Sequence, residues 1–289
     1  MKDVLKYRVP GWDRGKRVDL KKYPTRAKLL YASAGEYDEK LARFQTDLKS
    51  FQEKLHAGAR YSVLIVFQGM DTSGKDGAIS HVMSGVNPQG CYAYSFRAPS
   101  SDELRHDFLW RTHIRMPGRG EIGIFNRSYY EELLVTRIHR DVLKNEGLPP
   151  EAMEVRHFWR KRAEDIRNHE LHLDRQGTRI VKFFLHLSKA EQRRRLLDRL
   201  SEPKKNWKIS ESDFHERRYW KRYQSAYERC LEGTSTRECP WFIIPADDKK
   251  NARLLISEIL MDELGAIPVS YPKMSPGQAR QLRAFKKLL

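Results

Sequence analysis

A short apolar stretch that runs straight into a glycine-rich loop constrains the fold of this 289-residue chain more than any other feature. The stretch YSVLIVFQ (61–68) has the composition of a buried strand, and GMDTSGKDG (69–77) follows it at once. Gly69, Gly74 and Lys75 fit the pattern G-x-x-x-x-G-K. Backbone N–H groups of such a loop, together with the start of the next helix, wrap a phosphate that the lysine also contacts. We therefore predict a phosphate loop at 69–77; a glycine turn that only packs a helix on a sheet is the alternative.

The rest of the chain alternates apolar, strand-like segments with helical segments. The predicted strands are 61–68, 91–96, 121–126, 179–187 and 240–246. This alternation predicts an α/β fold, a five-stranded parallel sheet with helices on both faces. Ligands of such sheets bind at the carboxyl ends of the strands. We therefore expect the phosphate loop, Asn126 and the helix that starts near Ser188 to share one rim.

The chain reads as a single domain with appended segments. We predict an N-terminal arm and helix (1–58), a core (59–200 and 239–265), a basic lid inserted in that core (201–238) and a C-terminal tail (266–289). Apolar residues recur every three or four positions between Leu41 and Leu55, which predicts an amphipathic helix. Its apolar stripe suits packing on the body of the domain or on a second subunit, as in a homodimer or homotetramer.

Two carboxylates in the phosphate loop need an explanation, because Asp71 and Asp76 stand on either side of Lys75. They would repel a phosphate unless a divalent cation lay between them. Loops of this kind usually bind the metal through a Ser or Thr after the lysine and an acid at the end of a neighbouring strand. Asp76 replaces that hydroxyl, and the third strand ends in Asn126. We predict that Asp71 binds Mg²⁺, with Mn²⁺ as the alternative ion. Asp76 either ligates the metal as well or only interacts favourably with the helix dipole.

The sequence FNRSYYEE supplies a cation at the same rim. Arg127 can bind a phosphate with two hydrogen bonds or stabilise charge that develops during transfer. The alternative is a salt bridge to Glu131 or Glu132. The phosphate-binding set at this rim is predicted to comprise Gly69, Gly74, Lys75, Asp76, Gly77, Asn126 and Arg127. Nucleotide contacts are predicted from Tyr130 and Arg137, with packing in the core as the alternative for the tyrosine.

Positive charge is in excess, with 55 Lys and Arg against 38 Asp and Glu and a net charge of +17. Such a chain attracts polyanions. Cations concentrate at the lid, whose place at the rim suits a closing element. The cations in the lid and just before it that we predict to bind phosphate are Arg199, Lys204, Lys205 and Lys208. A solvated basic surface is the alternative reading of such a charge run.

Several classes of protein are not expected. No apolar run is long enough for a membrane span, and the N-terminus lacks an apolar signal region, so no membrane partner is predicted. The three cysteines, Cys91, Cys230 and Cys239, lack metal-binding spacing and favour a reducing cytoplasm. The histidines show no metal-binding pattern either.

Six motifs occur in an order that points to a known family. They are GMDTSGKDG, FRAPS, HDFLWR, IFNRSYYEELLV, KFFLHLSKAEQRRRL and RLSEPKKNWKISESD. The chain closely resembles the polyphosphate kinase 2 family over about residues 10–270. The resemblance implies a P-loop kinase of the thymidylate-kinase type with a helical lid. It also implies phosphoryl transfer between inorganic polyphosphate and nucleoside di- or monophosphates, with Mg²⁺.

The resemblance assigns roles residue by residue. It implies that Asp71, Lys75 and Arg127 are catalytic and that Arg199, Lys204, Lys205 and Lys208 bind phosphate. The third strand often ends in Asp in this family, whereas this chain has Asn126. ADP is the expected acceptor, with GDP and AMP open and transfer reversible. An ATP-dependent nucleoside monophosphate kinase and a non-enzymatic polyanion-binding or nucleic-acid-binding protein are the rivals; no specific nucleic acid is expected.

Overall fold

A computed structural model describes residues 4–286 and 288, except the side chains of Lys205 and Lys208. Its centre is one five-stranded sheet in the order β2-β3-β1-β4-β5, in which every neighbouring pair is parallel. The strands are β1 (Ser62–Gly69), β2 (Cys91–Ser95), β3 (Ile122–Asn126), β4 (Thr178–His186) and β5 (Trp241–Pro245). The predicted α/β class and all five strands are therefore confirmed.

Helices surround this sheet. In chain order they are α1 (Ala34–Gly58), α2 (Lys75–Val82), α3 (Trp110–His113), α4 (Glu131–Ile138), α5 (Arg140–Lys144), α6 (Pro150–Met153), α7 (Phe158–Arg175), α8 (Lys189–Ser201), α9 (Glu211–Glu216), α10 (Trp220–Thr234), α11 (Lys249–Leu264) and α12 (Pro276–Phe285). Short 3-10 turns include Glu103–Arg105, Pro203–Lys208 and Arg217–Tyr219. In the described part of the chain, no helix combines the length and the apolar character that crossing a membrane requires.

Both faces of the sheet are covered, which explains why its inner strands are mostly apolar. All eight residues of β1 are buried. Alternate side chains of β1, such as Ile65, pack with α1 and α11, whereas Leu64 and Val66 pack with α4, α7 and α10. The apolar stripe of α1 contacts α11, so it packs on the body of its own chain, the first of the two predicted alternatives.

Helix boundaries depart from the sequence pattern in two places. The polar segment 150–174 has the sequence pattern of one long helix, but it is divided into α6 and α7 at His157, whose backbone is left-handed with φ of 65°. The sequence SSDE (100–103) predicts a capping box for a helix that ends near Arg115, and Ser100 and Glu103 exchange its two hydrogen bonds, at 3.2 and 2.8 Å. The helix they begin is nevertheless only the 3-10 turn Glu103–Arg105.

The predicted lid contains two different kinds of structure. Its second half is α10, where Tyr227 and Leu231 are buried against the sheet. Its first half, 201–219, holds α9 and two 3-10 turns, and Trp207 there is 77% exposed. Within the predicted lid, α10 therefore belongs to the packed core, whereas residues 201–219 lie outside it.

Candidate active site

The phosphate loop joins β1 to α2 through two positions that require glycine. A Cβ atom on Gly69 would lie 2.7 Å from the Oγ of Ser73 and 3.0 Å from the carbonyl oxygen of Leu185. Gly74 precedes α2 with φ of 102°, in the left-handed region. The loop therefore turns tightly enough to aim the start of α2 at the carboxyl edge of the sheet.

Lys75 is buried at the base of this loop. Its Nζ donates hydrogen bonds to the carbonyl oxygens of Gly69, at 2.8 Å, and Met70, at 3.3 Å. Burial, reinforced by the nearby charge of Arg127, lowers the pKa of Lys75 to about 8. The ammonium is therefore in place for a phosphate bound in the loop, but its charge is sensitive to pH near neutrality.

Arg127 connects the end of β3 to the phosphate loop. Its Nη2 donates to Oδ1 of Asp71 at 2.8 Å, so the ion pair involves the loop acid and not Glu131 or Glu132. Glu131 is also near, and its negative charge, together with that of Asp71, raises the pKa of Arg127. The backbone of Arg127 is left-handed, with φ of 63°. This strained position at the rim is typical of a residue retained for function.

A second hydrogen bond joins the same two elements. The Nδ2 of Asn126 donates to Oδ1 of Asp76 at 2.5 Å. Both residues line the cleft described below, as does Gly77. The structure therefore brings together all the residues predicted at this rim, namely Gly74, Lys75, Asp76, Gly77, Asn126 and Arg127, with Asp71 among them and Gly69 at the base of the loop.

Arg195 holds the loop from behind, a role that the sequence analysis missed. Its buried guanidinium donates to the carbonyl oxygens of Thr72, Ser73 and Ala246 at 2.9, 3.0 and 2.6 Å. The sequence could have indicated this role through helical spacing. Gln192, Arg195 and Leu196 lie three or four residues apart, and all three are buried on the inner face of α8. Gln192 adds a hydrogen bond to the carbonyl oxygen of Asp71 at 3.1 Å.

A cleft of about 960 Å³, the large cleft, opens above the phosphate loop. On one side stands the lid wall, formed by Asp198, Arg199, Trp207, Asp213 and their neighbours. Arg199 pairs with Asp213 at 3.3 Å. Lys204 is exposed and does not line the cleft. The side chains of Lys205 and Lys208 lie outside the described part, so their predicted phosphate contacts stay predictions.

The opposite side of the large cleft, the α11 wall, was not anticipated from the sequence. Lys249, Ala252 and Arg253 of α11 form it. The nearby end of β5 is tied to the N-terminal arm, where Thr25 and Asp247 exchange two hydrogen bonds of 2.8 and 2.9 Å. Cations thus reach the phosphate loop from two walls that are far apart in sequence.

A smaller cavity of about 250 Å³, the small pocket, adjoins the large cleft through Phe96, Arg97, Ala98 and Arg127. Apolar side chains, including Phe108, line much of it. Its polar groups include Glu131 and an ion-pair cluster in which Arg162 binds Glu132, at 2.7 Å, and Glu146. Burial and the adjacent Glu146 raise the pKa of Glu132 to about 8. An enclosed, largely apolar pocket with a few polar groups is typical of a small-molecule site.

The two residues predicted to contact a nucleotide do not line either cavity. Tyr130 is fully buried behind the rim, and its hydroxyl donates to Glu170 at 2.6 Å and accepts from Lys182 at 2.9 Å. Its ring therefore lies in the core, the alternative considered for it, because a buried ion pair binds its polar end. Arg137 lies at the end of α4, half-buried over the ring of Trp159.

The oxygen atoms around the phosphate loop suit a hard divalent cation. Asp71 and Asp76 supply carboxylates, and Mg²⁺ commonly takes one or two of these together with phosphate oxygens and water. Within the described residues, the buried hydroxyls of Thr72 and Ser73 have no hydrogen-bond partner. The same residues contain no cluster of three or more His, Cys, Asp or Glu arranged for a metal. The donor set thus fits Mg²⁺ or Mn²⁺ bound jointly with a phosphate ligand.

We expect Arg195→Lys to loosen the phosphate loop. A lysine cannot reproduce the forked contacts to three carbonyls, so the free energy of unfolding should fall by about 2–4 kcal/mol. Arg194→Lys is the matched control, because Arg194 is an exposed neighbour that pairs with the same Glu191; it should cost less than about 1 kcal/mol. Urea unfolding and hydrogen exchange of the loop amides measure both effects, and equal losses in the two variants would contradict the clamp.

Known proteins resemble this chain over most of its length. Residues 31–270 match the family model described as Polyphosphate kinase 2. The chain is 50% identical over 275 residues to an ADP-polyphosphate phosphotransferase of Rhodopseudomonas palustris, covering 95% of each chain. It is 44% identical over 235 residues to an AMP/ADP-polyphosphate phosphotransferase of Meiothermus ruber, covering 81% of this chain and 84% of that one.

A solved structure shows the same architecture. The crystal structure of polyphosphate kinase 2 from Arthrobacter aurescens superposes with a TM-score of 0.81 at 34% sequence identity. The match covers 96% of this chain and 98% of that one. The family match, the relatives and this fold agree, and the chain belongs to the polyphosphate kinase 2 family.

Proposed function

We propose that this protein transfers a phosphoryl group from inorganic polyphosphate to a nucleoside diphosphate, converting ADP to ATP, and that it also catalyses the reverse reaction. GDP and AMP are the further acceptors to test. The observation that carries the proposal is that Lys75, Asp71 and Arg127 converge in a large cleft that adjoins a small apolar pocket. Relatives are named for ADP or for AMP and ADP, which supports this choice of acceptors.

The two cavities provide separate places for the two substrates. The phosphate loop and Lys75 bind the reacting end of the polyphosphate, because backbone N–H groups and the ammonium favour an anion there. The small pocket accepts the nucleoside of the acceptor. Arg127 lines both cavities, so its guanidinium lies where the moving phosphoryl group must pass. Transfer is then a matter of alignment and charge neutralisation.

Asp71 is the residue that would hold Mg²⁺ or Mn²⁺ with the substrate phosphates. When bound, the ion neutralises charge on both polyanions. Arg127 holds the Asp71 carboxylate in place at 2.8 Å. Transfer is direct in this proposal: no histidine is among the described residues that line the large cleft, so a phosphohistidine intermediate is not expected.

The setting of the protein is also a proposal. We place it in the cytoplasm, where three free cysteines would stay reduced. Burial raises the pKa of Cys91 and Cys230 to about 11 and about 12, so these thiols are poor nucleophiles. A homodimer or homotetramer remains the expected assembly.

A substrate panel tests the function. The purified protein is incubated with polyphosphate, Mg²⁺ and each nucleoside mono- and diphosphate, and the products are separated by ion exchange. We expect ATP from ADP without any added nucleoside triphosphate. Transfer only when ATP is the donor would instead identify a nucleoside monophosphate kinase, and binding of nucleic acid without turnover would overturn the assignment as an enzyme.

Asp71→Asn should abolish most turnover while the fold survives. The Asn side chain can still accept the hydrogen bond from Arg127, but it loses the charge that binds the metal. We expect kcat to fall on the order of a hundredfold or more. Asp76→Asn is the control, because its effect on the helix dipole is worth only about 1 kcal/mol. Turnover is titrated with Mg²⁺ for both variants; normal turnover of Asp71→Asn at the Mg²⁺ level that saturates the wild type would refute this role.

The lowered pKa of Lys75 predicts a pH dependence of donor use. The ammonium that attracts phosphate is lost as pH rises through about 8, so kcat/KM for polyphosphate should fall above that pH. A bound polyanion stabilises the ammonium, so kcat at saturation should fall only at higher pH. The nucleotide is kept saturating, because Glu132 in the small pocket titrates in the same range. A kcat/KM that stays constant up to about pH 10, with the fold intact, would contradict this role for Lys75.

A further inference from the structure

The large cleft continues past the phosphate loop, on the side away from the small pocket. The small pocket lies beside Phe96 and Arg127, which follow β2 and β3 at one side of the sheet. The order β2-β3-β1-β4-β5 places the phosphate loop in the middle and the α11 wall beyond it. A polyphosphate whose reacting end lies at Arg127 therefore has room to extend toward α11.

The α11 wall is built close to the loop. Arg253 lies over the first turn of α2, since a Cβ atom on Gly77 would be 3.4 Å from its Nη2. Lys249 precedes it by four residues, which is about 6 Å along the helix, so both side chains lie on one face. Both line the large cleft.

Charge distinguishes the α11 wall from the lid wall. Among the described residues that line the cleft, α8 and the lid wall contribute two cations, Arg195 and Arg199, and two acids, Asp198 and Asp213. The guanidinium of Arg195 is bound to backbone carbonyls, and Arg199 pairs with Asp213. The described lining residues of the α11 wall are two cations and an alanine. A polyanion that leaves the loop is therefore attracted more uniformly by the α11 wall.

We propose that Lys249 and Arg253 bind the phosphates of a polyphosphate chain beyond those held by the phosphate loop, and that they make the enzyme favour long chains over short ones. The inference rests on the proposed function, because it assigns the path of that donor. A short donor has few phosphates beyond those held by the loop, so the two cations, and Lys249 in particular, act chiefly on long chains.

Lys250 provides a matched control in the same helical turn. Its Nζ lies 4.7 Å from the centre of the Tyr37 ring, and it is not among the residues that line the cleft. Lys250→Gln removes one positive charge from α11, as Lys249→Gln does, but from outside the cleft. The comparison separates a local contact from the general field of a basic protein.

The experiment compares donors of different length in the full-length protein. Initial rates are measured with long-chain polyphosphate and with tripolyphosphate, at several salt concentrations, for Lys249→Gln, Arg253→Gln, the double variant and Lys250→Gln. The double variant should raise KM for the long chain by about tenfold or more, several times its effect with tripolyphosphate. The slope of log KM against log salt for the long chain should fall by about 1–2. Equilibrium binding of long-chain polyphosphate without nucleotide should weaken in parallel.

Two results would overturn the proposal. An equal rise in KM for long and short donors would show that the α11 wall does not bind the distal chain. If Lys250→Gln raised KM as much as Lys249→Gln, the effect would come from the overall positive charge of the protein and not from a local contact. Thermal unfolding checks each variant; if Arg253→Gln does not fold, Lys249→Gln alone decides, because that side chain is exposed. A wild-type protein that uses neither donor would overturn the proposed function and this inference with it.

Discussion

The site depends on a single buried guanidinium that holds backbone carbonyls away from the ligand. Arg195 binds the carbonyl oxygens of Thr72 and Ser73 and, on its other side, that of Ala246 after β5. Carbonyls that are bound in this way cannot turn into the cleft, where they would repel a phosphate. The loop is thereby fixed to the end of β5, which leads into α11. The position of the phosphate site relative to the α11 wall is therefore fixed as well.

Opposite charges at the rim stabilise one another. Asp71 pairs with Arg127, Asp76 accepts from Asn126, and Lys75 donates to the carbonyls of its own loop. Each group that would bind a metal or a phosphate therefore already has a partner inside the protein. Substrates must exchange these contacts for their own, which favours ligands that bring cation and phosphate together.

The sheet and the phosphate loop could be predicted because their signals are local. Strands buried on both faces are continuous apolar runs, and the glycine loop carries its own pattern. The division of the segment 150–174 at His157 has no such signal. His157 is exposed, so neither an apolar pattern nor a glycine marks its left-handed backbone.

Some residues of the site could not be placed from the sequence, because their positions depend on contacts between distant parts of the chain. Tyr130 was assigned to the rim by its position after β3, but its hydroxyl is bound by Glu170 and Lys182, which lie 40 and 52 residues away in the chain. Lys249 and Arg253 follow β5, more than 170 residues after the phosphate loop, and no motif marks them. The packing of α11 against α2, the helix that follows the loop, brings them beside it.

The left-handed backbone of Arg127 sets stability against activity at one position. A residue with a Cβ atom costs on the order of 1–2 kcal/mol in this conformation, whereas glycine adopts it freely. Glycine at 127 would relieve this strain, but it would also remove a guanidinium that pairs with Asp71 and lines both cavities. The backbone strain is thus set against contacts that only the arginine side chain makes, and the effect of glycine on heat resistance is the difference between the two.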